Sequence, residues 1–167
     1  PLYSSAASDV YKRQVSGCGY RVGPTVRSAY ADVKKIDVPT VINKTFEPNV
    51  QSLITDTIIN RFNNDGTFEI TGQAQADATL SITINEIDRT PLRFATSNSL
   101  VTQEYQLTIR ATYELKSKSG KMLNSFSAQG ITTFFVSNDL IASQRQAIPL
   151  AAESLANDIV SQISEAW

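Results

Sequence analysis

The segment Tyr105–Lys116 constrains the fold more than any other part of the chain. Apolar side chains occupy every second position, and polar side chains fill the positions between them; the apolar set is Tyr105, Leu107, Ile109, Ala111, Tyr113 and Leu115. This period of two predicts a β-strand with one buried and one solvated face. Such a strand needs a second layer to cover its apolar face.

Further strands are predicted on both sides of this one. Ser117–Gly120 reads as a hairpin turn, and Met122–Val136 as an antiparallel return strand. Leu80, Ile82 and Ile84 alternate with polar residues and predict another long strand, joined to Tyr105–Lys116 by a loop over Asp88–Leu100. A short first strand is expected at Val33–Val38, and a short extended piece at Phe68–Ile70.

Two segments carry the spacing of an amphipathic helix. In the first, Pro48 suits the first helical position, and the apolar residues are Val50, Leu53, Ile54, Ile58 and Phe62. In the second, Ser143 and Gln146 resemble a capping box, Pro149 predicts a kink, and the apolar stripe is Ile148, Ala152, Leu155, Ile159, Ile163 and Ala166.

The order of these elements is β-α-β-β-β-α. It predicts a two-layer α+β sandwich, with a mostly antiparallel four-stranded sheet and two helices packed on one face. Residues 33–167 are expected to form this single domain, and residues 19–32 an extended tether.

Val15-Ser16-Gly17-Cys18 matches the lipobox at which bacterial lipoproteins are cut and acylated. Diacylglycerol and N-acyl chains (such as palmitate) on Cys18 would anchor the chain stably, since one buried acyl chain alone gives marginal binding. Gly19 follows the cysteine where Asp would favour inner-membrane retention, so the lipobox predicts an outer-membrane lipoprotein.

Residues 1–14 do not resemble the signal peptide that should precede a lipobox. They contain no apolar run, and Lys12 and Arg13 lie beside the motif. Residues 9–14 are similar to the translation of a transposon end used in preparing sequencing libraries. We therefore interpret residues 1–14 as an artefact that replaced the signal peptide.

Composition excludes several classes of function. The chain has no histidine and one cysteine, which argues against common metal sites, thiol nucleophiles, Ser-His-Asp triads and internal disulfides. Leaving out Asp9, Lys12 and Arg13 from 15 basic and 16 acidic residues gives 13 and 15, a charge of about −2 that argues against nucleic-acid binding. We expect no cofactor, no metal and no enzymatic activity. A glycosidase would need a pair of carboxylates across a cleft, and the sequence indicates no such pair among the available residues Glu86, Asp88, Glu104 and Glu114.

The chain resembles the outer-membrane LPS-assembly lipoproteins (LptE-like). The resemblance covers nearly all of residues 18–167 and lies in the order and spacing of several short motifs: Cys18-Gly19-Tyr20 with Val22-Gly23, Ile36-Asp37-Val38-Pro39 with Asn43, Glu104-Tyr105, Phe134-Phe135, and the helical spacing Ala152, Leu155, Ile159. It implies two helices on a four-stranded sheet, binding of LPS, and a role as a plug inside a partner β-barrel (LptD-like). The chain departs from the family at the positions beside Asn98 and Leu140, where the family has basic residues that contact LPS and this sequence has none.

The meander also predicts where a phosphorylated ligand would bind. The Asp88–Leu100 loop and a loop over Ser137–Ala142 should lie at the same end of the sheet, which would bring Arg89, Arg93 and Arg145 together. Guanidinium groups suit phosphate, so these arginines are the candidate LPS ligands, although solvated loop charges remain the alternative. Phe134 and Phe135 are expected to serve core and sheet packing rather than to bind lipid. A different envelope lipoprotein, which regulates an enzyme or forms a secretion pore, is the alternative function.

Overall fold

A computed structural model describes residues 30, 32–95, 98–136 and 139–165, with the side chains of 94–102 left out. Its elements are β1 (Lys35–Asp37), β2 (Ile42–Asn43), α1 (Val50–Asp65), β3 (Glu69–Ile70), β4 (Ala78–Ala95), β5 (Asn98–Ser117), β6 (Met122–Phe135) and α2 (Leu140–Glu165). Two helices and a mixed sheet confirm the predicted α+β class.

The centre of the sheet is an antiparallel meander of β4, β5 and β6, as the alternation predicted. The predicted loop over Asp88–Leu100 is wrong, because β4 runs on to Ala95 and β5 begins at Asn98. The two strands form a long hairpin in which Asn85 and Leu92 are extra residues at two β-bulges. Each bulge shifts the side-chain alternation by one position, which removes the sequence signal for a strand.

The remaining strands are short and pair in parallel, so the sheet is mixed and six-stranded, not four-stranded. β1 lies between β3 and β4, and β2 pairs with β4 further along the same edge. Asp77 fixes the start of β1, since its Oδ2 accepts hydrogen bonds from the backbone N–H groups of Lys34 at 3.0 Å and Lys35 at 2.9 Å. These two bonds are the main reason that the pKa of Asp77 is lowered.

Both helices cover the face of the sheet that carries Leu80, Leu107 and the other buried strand residues. Their first residues differ from the prediction. α1 begins after Asn49, which has φ 61° and no side-chain cap, so Pro48 lies outside the helix. α2 begins three residues before Ser143 and is capped by Asp139, whose Oδ1 accepts from the N–H of Ile141 at 2.8 Å. The predicted capping box is therefore wrong.

The helix α2 packs directly on the edge strand β6. A Cβ atom added to Gly130 would lie 2.0 Å from the carbonyl oxygen of Ala151 and 2.7 Å from Cβ of Leu155, so only glycine fits there. Beside this contact, the N–H groups of Gln129 and Ile131 donate to α2 side chains, respectively Asp158 Oδ2 at 2.9 Å and Ser154 Oγ at 3.1 Å. The helix thus covers the edge of the sheet with hydrogen-bonding side chains.

Tyr30, which the sequence assigned to the tether, is buried in the hydrophobic core. Burial raises its pKa, against a hydrogen bond with Asn124 that lowers it. Burial also raises the pKa of Tyr113 to about 12, and the Tyr113 hydroxyl donates to Gln162 Oε1 at 3.1 Å. Among the described residues, core packing therefore begins at Tyr30, before β1.

Gly130→Ala should lower the free energy of unfolding by at least about 1–3 kcal/mol, because the new methyl group has no space against the backbone of α2. Gly72→Ala is the matched control, since nothing lies within 4 Å of the added Cβ and its φ is not in the left-handed region. Urea denaturation of the two variants tests this difference. Equal stabilities would show that α2 does not pack on β6 at Gly130.

Candidate functional site

The structure separates the three candidate arginines onto two faces. Arg89 pairs in register with Leu107, whose side chain is buried under the helices, so Arg89 lies on the helix face. Arg93 pairs with Glu104, three residues away from Leu107 along β5 and hence on the opposite face. The bulge at Leu92 causes this change of face.

Arg93 has a carboxylate partner on its own face. Its Nε lies 3.6 Å from Glu104 Oε2, and its side chain is exposed while that of Glu104 is largely covered. An exposed ion pair of this kind contributes little to stability, but it compensates the arginine charge locally. Arg93 is therefore less suited than Arg89 to bind an anion.

Arg89 is joined to α2 and to the loop before α1 by one amide side chain. Arg89 Nη1 donates to Gln144 Oε1 at 2.6 Å, and Gln144 Nε2 donates to Glu47 Oε1 at 2.7 Å. Gln144 is buried, whereas Arg89 and Arg145, the residue that follows Gln144, are exposed. The bridge Glu47–Gln144–Arg89 therefore brings Arg89 next to the helical turn that carries Arg145.

Both helices begin at this end of the molecule. Gln144, in the second turn of α2, contacts Glu47 just before α1, and Ser164 near the end of α2 donates to Asp65 Oδ2 at the end of α1. The helices therefore run in the same direction, and neither has an acidic residue in its first turn. Their N-terminal dipoles add partial positive charge, which Asp139 at the start of α2 and Glu47 before α1 partly offset. We call this the tip end, formed by residues 86–93 of β4, residues 103–106 of β5 and the first turns of α1 and α2.

The tip end also carries exposed apolar side chains: Phe46, Leu92, Phe135 and Ile141. Phe46 is fully exposed, in the loop before α1. Phe134 is buried as predicted and stacks on Tyr105, with ring centroids 5.7 Å apart, but Phe135 is 64% exposed, so its predicted place in the core is wrong. Sequence analysis missed Phe46 and Gln144; a lone aromatic among the polar residues of 43–49 was the available signal for Phe46.

The predicted anchor, a metal site and a membrane-spanning helix are the remaining features to compare with the structure. Cys18 and the lipobox lie outside the described residues. Within the described part of the chain, no group of three or more Asp, Glu, His or Cys residues could hold a metal ion. No helix there is long and apolar enough to span a bilayer.

A family model covers most of the domain. Residues 33–163 match the model of LptE, lipopolysaccharide-assembly. The chain belongs to the LptE family. No curated protein sequence matches the chain.

Solved structures of low sequence identity share the fold. A minor lipoprotein from Acinetobacter baumannii is 15% identical with a TM-score of 0.55, over 80% of this chain and 94% of that one. The rare lipoprotein B from Shewanella oneidensis is 12% identical with a TM-score of 0.50, over 79% and 95%. The PelC dodecamer from Paraburkholderia phytofirmans is 17% identical with a TM-score of 0.52, over 79% and 87%.

Family membership fixes the general class of function. This chain is an LPS-assembly protein of the LptE family, a family of non-catalytic lipoproteins that is associated with the LPS transport machinery. The tip end is its candidate ligand site, with Arg89 and Arg145 on one side of the sheet and Arg93 on the other.

Proposed function

We propose that this LptE protein binds LPS at the tip end and acts as a plug and assembly partner of an outer-membrane β-barrel LPS translocon. It performs no catalysis and needs no cofactor. Acyl chains on Cys18 hold it in the outer membrane, with the domain on the periplasmic side.

The observation that carries the LPS proposal is the combination of arginines and exposed apolar side chains at one end. LPS joins phosphate groups to acyl chains, and it therefore needs cationic donors next to an apolar surface. Arg89 makes no ion pair with a carboxylate among the described residues and can bind phosphate oxygens. Phe46 and Ile141 offer apolar surface close to the two helix N-termini.

Barrel partnership and outer-membrane location rest on the family and on the sequence. Family membership implies association with LPS transport, and the lipobox with Gly19 favours the outer membrane. The pore-forming alternative keeps some support, because PelC, a protein of similar fold, assembles as a dodecamer.

Replacing Arg89 and Arg145 together by Gln should weaken LPS binding by about 1.5–3 kcal/mol for each contact that the arginine makes. The loss should be larger at low salt, where exposed charges are less screened. Arg93→Gln is the matched control, since Arg93 lies on the opposite face and has Glu104 as a partner. Binding is measured with immobilised protein and purified LPS. A greater loss from Arg93→Gln than from the double change would contradict the assignment.

The anchor is tested by mass spectrometry of the N-terminal peptide. A functional signal sequence should replace residues 1–14, and the protein should be taken from membranes. We expect the mass of Cys18 with acyl chains. We also expect release of Cys18→Ala into the periplasm as a folded domain, because the described residues from Tyr30 onward form a hydrophobic core among themselves. Membrane-bound protein with an unmodified Cys18 would contradict the anchor.

Native mass spectrometry of the complex from detergent-extracted outer membranes separates the two assembly modes. A plug should leave the membrane as a one-to-one complex with a β-barrel protein. Rings of the chain alone would instead support a pore-forming lipoprotein. The Cys18→Ala protein provides the mass of the unassembled chain for comparison.

A further inference from the structure

We infer that Gln144 is the positioning residue of the tip-end site: it orients the Arg89 guanidinium toward the phosphate oxygens of the ligand without neutralising its charge. This inference rests on the proposed function, and it concerns how the same site binds its ligand. The recognised chemistry is a phosphate oxyanion, carried by a lipid headgroup or free in solution.

The geometry of the bridge supports this role. Gln144 is 8% exposed, and its amide makes two short hydrogen bonds at once, accepting from Arg89 Nη1 and donating to Glu47 Oε1. A buried side chain held at both ends of its amide has little rotational freedom. Arg89 is consequently fixed by one of its nitrogens, and among the described residues its other N–H groups have no hydrogen-bond partner, so they can bind an anion in a bidentate way.

The residue type at position 144 matters as much as its geometry. Glutamate is nearly isosteric with glutamine and would form an ion pair with Arg89, as Glu104 does with Arg93 on the other face. That ion pair would compensate the charge that a phosphate needs, and it would place two carboxylates within hydrogen-bonding distance of each other. The neutral amide avoids both effects, because it accepts from the guanidinium and donates to Glu47.

The test is Gln144→Glu, measured with phosphatidylcholine vesicles that contain lipid A. We expect about tenfold weaker binding of lipid A and a shallower salt dependence, since the charge-assisted hydrogen bond between Arg89 and the lipid phosphate is lost. Dephosphorylated lipid A should bind the wild-type chain weakly, and inorganic phosphate should compete with lipid A. If inorganic phosphate competes as strongly as soluble lipid A does, the site recognises the phosphate group alone, which also agrees with the inference.

A double variant separates positioning from structure. In Glu47→Gln with Gln144→Glu, the amide and the carboxylate exchange places, so both hydrogen bonds can re-form while Arg89 stays neutralised. We expect the thermal stability to return toward that of the wild-type chain while the affinity for lipid A stays low. Recovery of affinity together with stability would show a structural role and overturn the inference.

The two levels of the proposal fail in different ways. If Arg89→Gln weakens the binding of lipid A and Gln144→Glu does not, the role of Gln144 is overturned and the proposed function stays intact. If the wild-type chain does not bind lipid A in vesicles, the proposed function and the inference both fall. Equal binding of phosphorylated and dephosphorylated lipid A would overturn phosphate recognition at Arg89.

Discussion

The contact between α2 and the edge strand β6 is the interaction on which the other features depend. Gly130 allows the backbone of α2 to lie against the strand, and Asp158 and Ser154 bond the strand N–H groups that no further strand pairs with. Because a buried or uncovered edge without such partners is costly and prone to aggregation, this one helix closes that side of the sheet. It also fixes the position of α2 along the sheet, and hence where Gln144 meets Arg89.

The core and the candidate site occupy different parts of the same strands. The halves of β4 and β5 nearest the Ser117–Gly120 turn carry fully buried residues under the helices, whereas residues 88–93 of β4 carry exposed charged and apolar side chains. These exposed side chains contribute little to burial. Their substitution should therefore affect folding less than substitution of the buried strand residues does.

Sequence reasoning predicts the elements whose periodicity is uninterrupted. β5 from Tyr105 onward, the buried stripes of both helices and the α+β class follow from spacing alone, since one face of each element must be apolar. The hairpin beyond Ile84 was missed because bulges at Asn85 and Leu92 and a proline between them, Pro91, interrupt the alternation. The parallel pairing of β1 to β3 leaves no local signal, since it joins residues far apart in the chain. Arg89, Arg93 and Arg145 could be named from the sequence, but the division between two faces depends on a bulge, and the role of Gln144 depends on contacts with two distant segments.

The parallel position of β1 has a consequence for the order of folding. Ile36 pairs with Ala78, 42 residues later in the chain, whereas Ile109 pairs with Gly130, 21 residues later. Closing the longer loop costs more chain entropy before any contact compensates it, so the antiparallel meander should form first and β1 should dock last. During that interval the outer edge of β4 is open to other chains, and newly made molecules should be most vulnerable to aggregation until Asp77 has bound the backbone of Lys34 and Lys35.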